Sequence, residues 1–283
     1  MKTAIIADIH GNSPALRAVL ADAREQGCER LIVLGDVIPG YDPAGCMRLI
    51  AEWPAHLCIR GNAEAYLLTP HLESSLGGAA PFRKQLDREL NWWRNCLDAA
   101  QLAEIRTWPD LLFFEGALLV HDNPLDRLYP SRWKKGNIPD EYQEIEFHSP
   151  GLRLNSPVEK YAEIDAWMEA SGTGLVLVGH THEAFIQTLP NGRVCNAGSC
   201  GLPLQNSPDP SWVMAEGELG RGCRLEVRNV RYAYSVYLEM IDRAQDHPQW
   251  QIPGRAQAVK RMVETGRHWR FFVRPEDEHA WPD

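Results

Sequence analysis

Seven side chains in this 283-residue chain could act together on one chemistry. They are Asp8 and His10 (Asp-Ile-His-Gly-Asn), Asp36 (Gly-Asp-Val-Ile-Pro-Gly), Asn62 (Gly-Asn-Ala-Glu), His121 (Leu-Val-His-Asp), and His180 with His182 (Gly-His-Thr-His). Each offers a nitrogen or oxygen lone pair, and none is a thiolate. In Asp-x-His and His-x-His, alternate residues leaving an extended strand project to the same side, so both can reach one site. A mixed imidazole and carboxylate set suits Zn²⁺, Mn²⁺ or Fe and is too nitrogen-rich for Ca²⁺ or Mg²⁺ alone. The set is large enough to surround two divalent ions. Two ions roughly 3.5–4 Å apart clamp a phosphoryl group and lower the pKa of a bridging water. One carboxylate must then bridge them, and Asp36, at the central Gly-Asp turn, is the candidate.

The elements that must position these residues are legible around them. Thr3–Ala7 runs into Asp8, Arg30–Leu34 into Gly35-Asp36, and His56–Arg60 into Gly61-Asn62. Short apolar runs without alternation are typical of strands buried on both faces. Between the first two, Leu16, Val19, Leu20 and Ala23 share one helical face behind Ser13 as N-cap and Pro14, with Gly27 to end the helix. Strand, helix, strand at this spacing is a βαβ unit and predicts an α/β fold, whose ligand sites collect at the carboxyl ends of strands. Residues 65–110 read as a helical insertion, carried by Phe82, Leu86, Leu90, Trp93 and Leu97 at helical spacing, then a helix capped by Asp98 and Gln101. Strands are expected at Leu111–Phe114, Ala117–His121, Gly174–Val178, Ala184–Leu189, Val194–Asn196, Trp212–Ala215 and Cys223–Val227. Helices are expected at Val158–Ala170, Tyr232–Ala244 and Arg255–Thr265. Residues 122–156 read as a long surface loop. The expected division is a domain over 1–248 and a C-terminal tail over 249–283.

Asp8-x-His10, Gly35-Asp36-x-x-x-Gly40, Gly61-Asn62, His121 and Gly179-His180-x-His182, in this order, resemble the calcineurin-like metallophosphoesterase superfamily, and more closely its bacterial and archaeal phosphodiesterase branch. Asn196-Ala-Gly-Ser199 resembles the Asn-Pro-Gly-Ser stretch of that branch. The resemblance covers roughly residues 1–245. It implies a four-layer αββα sandwich and a hydrolase that uses two divalent metals to attack phosphorus with a metal-bridging hydroxide. By the family pattern, Asp8, His10, Asp36 and His182 would hold one metal, and Asp36, Asn62, His121 and His180 the other. Asn62 would also stabilise the equatorial oxygens of the phosphoryl group. The implied substrate is a small phosphate ester, such as a cyclic nucleotide or a dinucleoside polyphosphate. One departure stands out: many members carry a histidine after the Gly-Asn pair that helps protonate the leaving group, and this chain has Ala63. Asp122 and His148 are the candidates to replace it. A phosphoprotein phosphatase is the runner-up, and a metal-binding scaffold without catalysis is the reading from another class.

Two further residues are candidates for contact with the phosphate. Arg60 precedes Gly-Asn and reads equally as a solvated strand-end charge. Asn12 follows the first motif, but Asn before Ser-Pro is also an ordinary helix start, which is the favoured reading. Ser199 reads as substrate contact or plain turn. Trp93 falls on the apolar stripe of its helix and Trp92 off it. Cys200 is the one cysteine near the motifs.

Composition agrees with a folded protein acting on a small ligand. Apolar residues make up 44% and charged residues 24%, near the globular average. Lys and Arg total 29 against 38 Asp and Glu, a net charge of −9, which argues against gripping a long polyanion. The basic segment Arg255–Arg274 is the one place where nucleic acid could dock, and it reads better as a solvated tail. No apolar run nears the roughly 20 residues of a membrane helix. Seven cysteines without a CxxC pair, and an N-terminus that reaches Asp8 before any signal core, predict a reduced, cytoplasmic protein.

Overall fold

The computed structural model describes residues 1–68, 80–129, 151–247 and 255–267. The three opening runs form β1 (Lys2–Ile6), β2 (Arg30–Val33) and β3 (His56–Cys58), which pair in parallel with β2 in the middle. On the other side of β1 lie β9 (Ser211–Glu216) and then β10 (Arg224–Asn229), both joined antiparallel, for the order β10-β9-β1-β2-β3. A second sheet runs β4-β5-β6-β8-β7, from β4 (Leu111–Phe114), β5 (Ala117–Val120), β6 (Leu175–Val178), β7 (Ala184–Thr188) and β8 (Arg193–Ala197). In it β5, β6 and β8 are parallel.

Side-chain parity divides the core into layers. Ile5, Ile32 and Leu34 of the first sheet meet Ala117, Leu119, Leu175 and Leu177 of the second, so the two sheets pack face to face. The alternate residues Ala4, Ile6, Leu31 and Val33 face outward to a helical layer. That layer holds α1 (Ser13–Glu25), α2 (Pro43–Ala51), α3 (Asn62–Leu68), α4 (Ala80–Cys96), α5 (Ala99–Thr107), α8 (Tyr234–Gln245) and α9 (Arg255–Thr265). On the far face, Leu118, Val120, Val176 and Val178 pack against α6 (Pro124–Leu128) and α7 (Val158–Ser171). The result is the four-layer αββα sandwich, and α3 to α5 form the expected helical insertion.

Several elements depart from expectation for local reasons. The α1 cap is Asn12, one residue before Ser13, because Asn12 Oδ1 accepts the Ala15 N–H at 3.1 Å. No helix was expected over α2, whose nine residues include Pro43 and Gly45; Asp42 caps it by accepting the Gly45 N–H. The five-residue α6 lies within the expected long loop, started by Asn123 and Pro124, and is too short to show a period. α9 falls at its expected bounds, but Ala256, Val259, Met262 and Val263 are buried in the helical layer rather than solvated. His148, Arg270 and Arg274 lie outside the described residues. The seven cysteines are all described and unbridged, and among the described residues no helix is long and apolar enough to cross a membrane.

Candidate metal centre

The parallel strands β1, β2, β3, β5 and β6 all release their chains at one end of the sandwich, and the seven motif side chains meet there. The loops are zipped to one another by backbone hydrogen bonds: Asp8 N–H to Gly35 O, His10 N–H to Asp36 O, Gly179 N–H to His121 O and Gly201 N–H to Asp8 O, at 2.9–3.1 Å. Glycine makes the closest approach possible. A Cβ on Gly35, whose φ is +90°, would lie 2.3 Å from the Gly61 nitrogen, and one on Gly61 would lie 2.2 Å from Asp36 Oδ1. Asp8, His10, Asp36, His180 and His182 all adopt left-handed backbone, with φ between 49° and 69°. Non-glycine residues reach that region at a cost of about 1–2 kcal/mol each, and such strain clusters where geometry serves a site.

The donor atoms converge on Asp8. Its Oδ2 accepts the His180 N–H at 2.8 Å, while Oδ1 is fully buried with no hydrogen-bond donor. Around Oδ1 stand the Nε2 atoms of His182 at 3.4 Å, His10 at 3.8 Å and His121 at 3.9 Å. His121 Nδ1 donates to Leu34 O at 2.7 Å and His182 Nδ1 to Leu202 O at 2.6 Å, which turns each Nε2 toward the carboxylates. The Nε2 atoms of His10 and His182 are 3.0 Å apart. His121 Nε2 is also 3.6 Å from Asp36 Oδ1, and Asn62 Oδ1 lies 3.2 Å from His121 Nε2 and 2.9 Å from His180 Nδ1.

Two groupings could therefore hold a cation: Asp8, His10 and His182; and Asp8, Asp36 and His121. The carboxylate common to both groupings is Asp8, and Asp36 belongs to the second. Asn62 and His180 flank the second grouping.

Electrostatics favour a divalent ion here. Burial alone would raise the Asp8 carboxyl, but His182, His10 and His121 outweigh it and hold it well below the usual range. Burial likewise opposes charge on His121 and His182, yet the Asp36 carboxylate at the first and Asp8 at both outweigh it and raise them. Burial and then His121 push His180 down to about 4, and burial lowers His10, leaving both neutral lone-pair donors. A buried carboxylate oxygen without a donor, facing imidazole nitrogens, draws in positive charge that a divalent ion supplies better than protons.

A residue whose part the motif spacing did not reveal holds the centre together. Glu64, fully buried, accepts from the backbone N–H groups of Asp36 (2.8 Å), Val37 (2.8 Å), Ile38 (3.1 Å) and Gly61 (2.7 Å). Burial, then Asp36, push its carboxyl up to about 7 against the pull of those donors. Its position in Gly-Asn-Ala-Glu was the only signal available. Ser199 is likewise scaffolding: its Oγ donates to Asp8 O at 2.7 Å and accepts the Leu202 N–H. Asn196 donates to Gly179 O and so braces the His180 turn.

The expected phosphate contacts fare differently. Asn12 is fully buried, with its amide nitrogen on Gly201 O (2.8 Å) and Tyr232 Oη (2.9 Å), so helix capping and loop bracing occupy it and it does not face a ligand. Arg60 reaches Asp110 at 3.0 Å, and its Nε is buried without an acceptor. Both oxygens of Asp122 accept from the Arg127 guanidinium, at 2.8 and 2.9 Å, so Asp122 is held in a bidentate pair. Cys200 is fully buried and burial pushes its thiol up, as for a core residue.

Comparison with known proteins bears on the family and the fold. The family model for calcineurin-like phosphoesterases matches residues 1–184. The crystal structure of a metallophosphoesterase from Sphaerobacter thermophilus superposes with a TM-score of 0.63 at 20% identity, covering 94% of this chain and 99% of that one. A hypothetical protein from Pyrococcus horikoshii gives a TM-score of 0.66 at 17% identity over 94% and 99%. An uncharacterized protein of Methanocaldococcus jannaschii is 42% identical over 50 residues, which is 17% of this chain and spans only about a fifth (21%) of that relative's length.

Proposed function

Since this chain belongs to the calcineurin-like phosphoesterase family, and is thus a metal-dependent phosphoesterase, we propose that it hydrolyses small phosphodiesters at a centre of two divalent ions, Mn, Fe or Zn. The observation that carries the reading is the buried, donorless Asp8 Oδ1 ringed by three imidazole nitrogens, where Asp36 and Asn62 join from neighbouring strand ends. When bound, such ions polarise the phosphoryl oxygens and lower the pKa of a water poised for in-line attack. The chain supplies the rest. Asp8, His10 and His182 would hold one ion. Asp8, Asp36 and His121, with Asn62 and His180 beside them, would serve the other, and Glu64 fixes the Asp36 and Gly61 loops against each other. Arg60, with an unsatisfied Nε, is the candidate cation for the substrate phosphate.

Ala63 narrows the substrate. Its side chain is apolar and buried, and Asp122 is tied to Arg127, so among the described residues neither of these delivers a proton to the departing oxygen, and His148 lies outside them. A leaving group that is already a weak base, such as an aryl oxide or the phosphate of an anhydride, needs none. Dinucleoside polyphosphates and activated diesters therefore suit the site better than alkyl esters. The unbridged cysteines support work in the reducing cytoplasm.

The test is Mn²⁺-dependent hydrolysis of bis-p-nitrophenyl phosphate against p-nitrophenyl phosphate, in wild type and in Asp36→Asn. The expected result is preference for the diester and a loss of roughly 10²-fold or more in the variant, from the weakened metal site. Preference for the monoester, extended to phosphopeptides, would shift the reading to a phosphoprotein phosphatase. Two bound metals without turnover of either ester would leave a scaffold.

A further inference from the structure

The three imidazoles around Asp8 Oδ1 are not oriented in the same way. His121 and His182 each direct the second ring nitrogen to a backbone carbonyl, Leu34 O and Leu202 O, which fixes the ring itself. Among the described residues no such acceptor meets Nδ1 of His10, whose Nε2 faces His182 and Asp8. The aim of His10 therefore comes from its backbone, which holds a left-handed φ of 49°.

That backbone is gripped from two directions. On the sheet side, His10 N–H donates to Asp36 O and Gly11 N–H to Val37 O, both at 3.0 Å. On the helical side, the His10 carbonyl accepts the hydroxyl of Tyr237, a buried residue of α8, at 2.7 Å. A Cβ at Gly40 would lie 2.0 Å from the same carbonyl and 2.9 Å from Tyr237 Oη, so the β2–α2 loop closes over this bond. Tyr41, next in that loop, meets the Tyr237 ring edge-on with centroids 5.9 Å apart. Burial, then Tyr41, hold the Tyr237 phenol well above its usual pKa, so it stays a donor. A buried hydroxyl carries a desolvation cost that a phenylalanine ring of the same shape avoids, so what it adds is this bond to the turn of a ligand candidate. Tyr237 is itself seated by the C-terminal helices: Ile241 of α8 and Val259 and Met262 of α9 share its apolar cluster, and Lys260 pairs with Asp242 between the two helices.

We propose that Tyr237 is a positioning residue for the grouping Asp8, His10 and His182: its hydroxyl fixes the His10 carbonyl and, through that turn, aims the imidazole at Asp8. The α8–α9 pair, beyond the segment matched by the family model, thereby governs how tightly one ion is held, although neither helix carries any of the seven motif side chains. The effect on the ion rests on the metal-centre reading of the proposed function; the hold on the turn does not.

The test compares wild type, Tyr237→Phe and Tyr232→Phe. The first variant keeps the ring and deletes the hydroxyl. The second deletes a hydroxyl that accepts from Asn12, in the same loop but on a residue that does not face a ligand, and so removes a comparable bond without touching His10. Mn²⁺ binding is followed by titration calorimetry and by electron paramagnetic resonance, in which neighbouring ions give a coupled spectrum and a lone ion an uncoupled one. Tyr237→Phe is expected to weaken at least one ion by about tenfold or more, the scale of a disturbed ligand support, with the uncoupled spectrum appearing where the wild type is coupled. Tyr232→Phe should keep the wild-type affinities and spectrum. Amide hydrogen exchange in chelator-treated protein reads the turn without metal. A peptide spanning His10 and Gly11 should exchange faster in Tyr237→Phe by about fivefold or more, the scale of one lost hydrogen bond. Should Tyr237→Phe show no cooperative melting, Gly40→Ala presses a Cβ on the same carbonyl and is expected to produce both effects. Unchanged Mn²⁺ affinity in a folded Tyr237→Phe, or an equal loss in both tyrosine variants, would overturn the assignment. A wild type that binds no Mn²⁺, with exchange still faster in Tyr237→Phe, would uphold the hold on the turn and bring down the metal-centre reading.

Discussion

At the scale of single residues, one carboxylate shapes the loops that bring the donors together. Glu64 gathers four backbone N–H groups from the Asp36 and Gly61 turns. Each buried donor left without an acceptor costs about 1–3 kcal/mol. Glu64→Ala is therefore expected to lower the unfolding free energy by about 4 kcal/mol or more, and to weaken Mn²⁺ binding because Asp36 rides on the same turn. Urea unfolding and calorimetric Mn²⁺ titration check both effects. A loss of stability below about 1 kcal/mol would show that water or the backbone replaces the carboxylate. Leaving groups give a second prediction at this scale. With Ala63 in place of an acid, kcat/KM across aryl methyl phosphates should fall steeply as the phenol becomes more basic. A flat dependence would reveal a proton donor.

At the scale of elements, the centre depends on turns whose backbones touch. Gly61→Ala would push a Cβ into Asp36, at 2.2 Å from Oδ1 and 2.5 Å from the backbone nitrogen. Because the nitrogen cannot rotate away, the Asp36 turn must shift. Mn²⁺ affinity is then expected to fall about 10–100-fold, the scale seen when supports of metal ligands are disturbed. Unaltered affinity would mean that the two turns can separate freely. These turns were legible from sequence because each is an apolar run closed by Gly-Asp, Gly-Asn or Gly-His, which marks a buried strand and its end together. Other elements were not legible. α2 carries Pro43 and Gly45 in its first turn, which mask a helical period, and α6 has only five residues. The placement of β8 between β6 and β7, and of β9 beside β1, follows from long-range pairing that no local pattern encodes.

At the scale of the whole molecule, each candidate grouping draws on both sheets. Asp8 and His10 follow β1 of the first sheet, and His182 follows β6 of the second. Asp8 and Asp36 come from the first, and His121 follows β5 of the second. The sheets are otherwise joined by apolar packing of residues such as Ile5, Ile32, Leu119 and Leu177, so bound metal would be a polar tie at one end of that interface. Binding only to the folded state stabilises it by about 2.7 kcal/mol at a ligand concentration 100 times Kd. For a chain of 283 residues that corresponds to a rise of about 5 °C in Tm. Mn²⁺-loaded protein should melt higher than chelator-treated protein by about that amount. Substitution separates the two groupings. Asp8→Asn replaces the carboxylate they share with a neutral amide and should abolish the whole shift, whereas His10→Gln touches one grouping and should leave part of it. A shift that survives in Asp8→Asn would place the stabilising ion elsewhere, and a complete loss in His10→Gln would mean that the second ion binds only after the first.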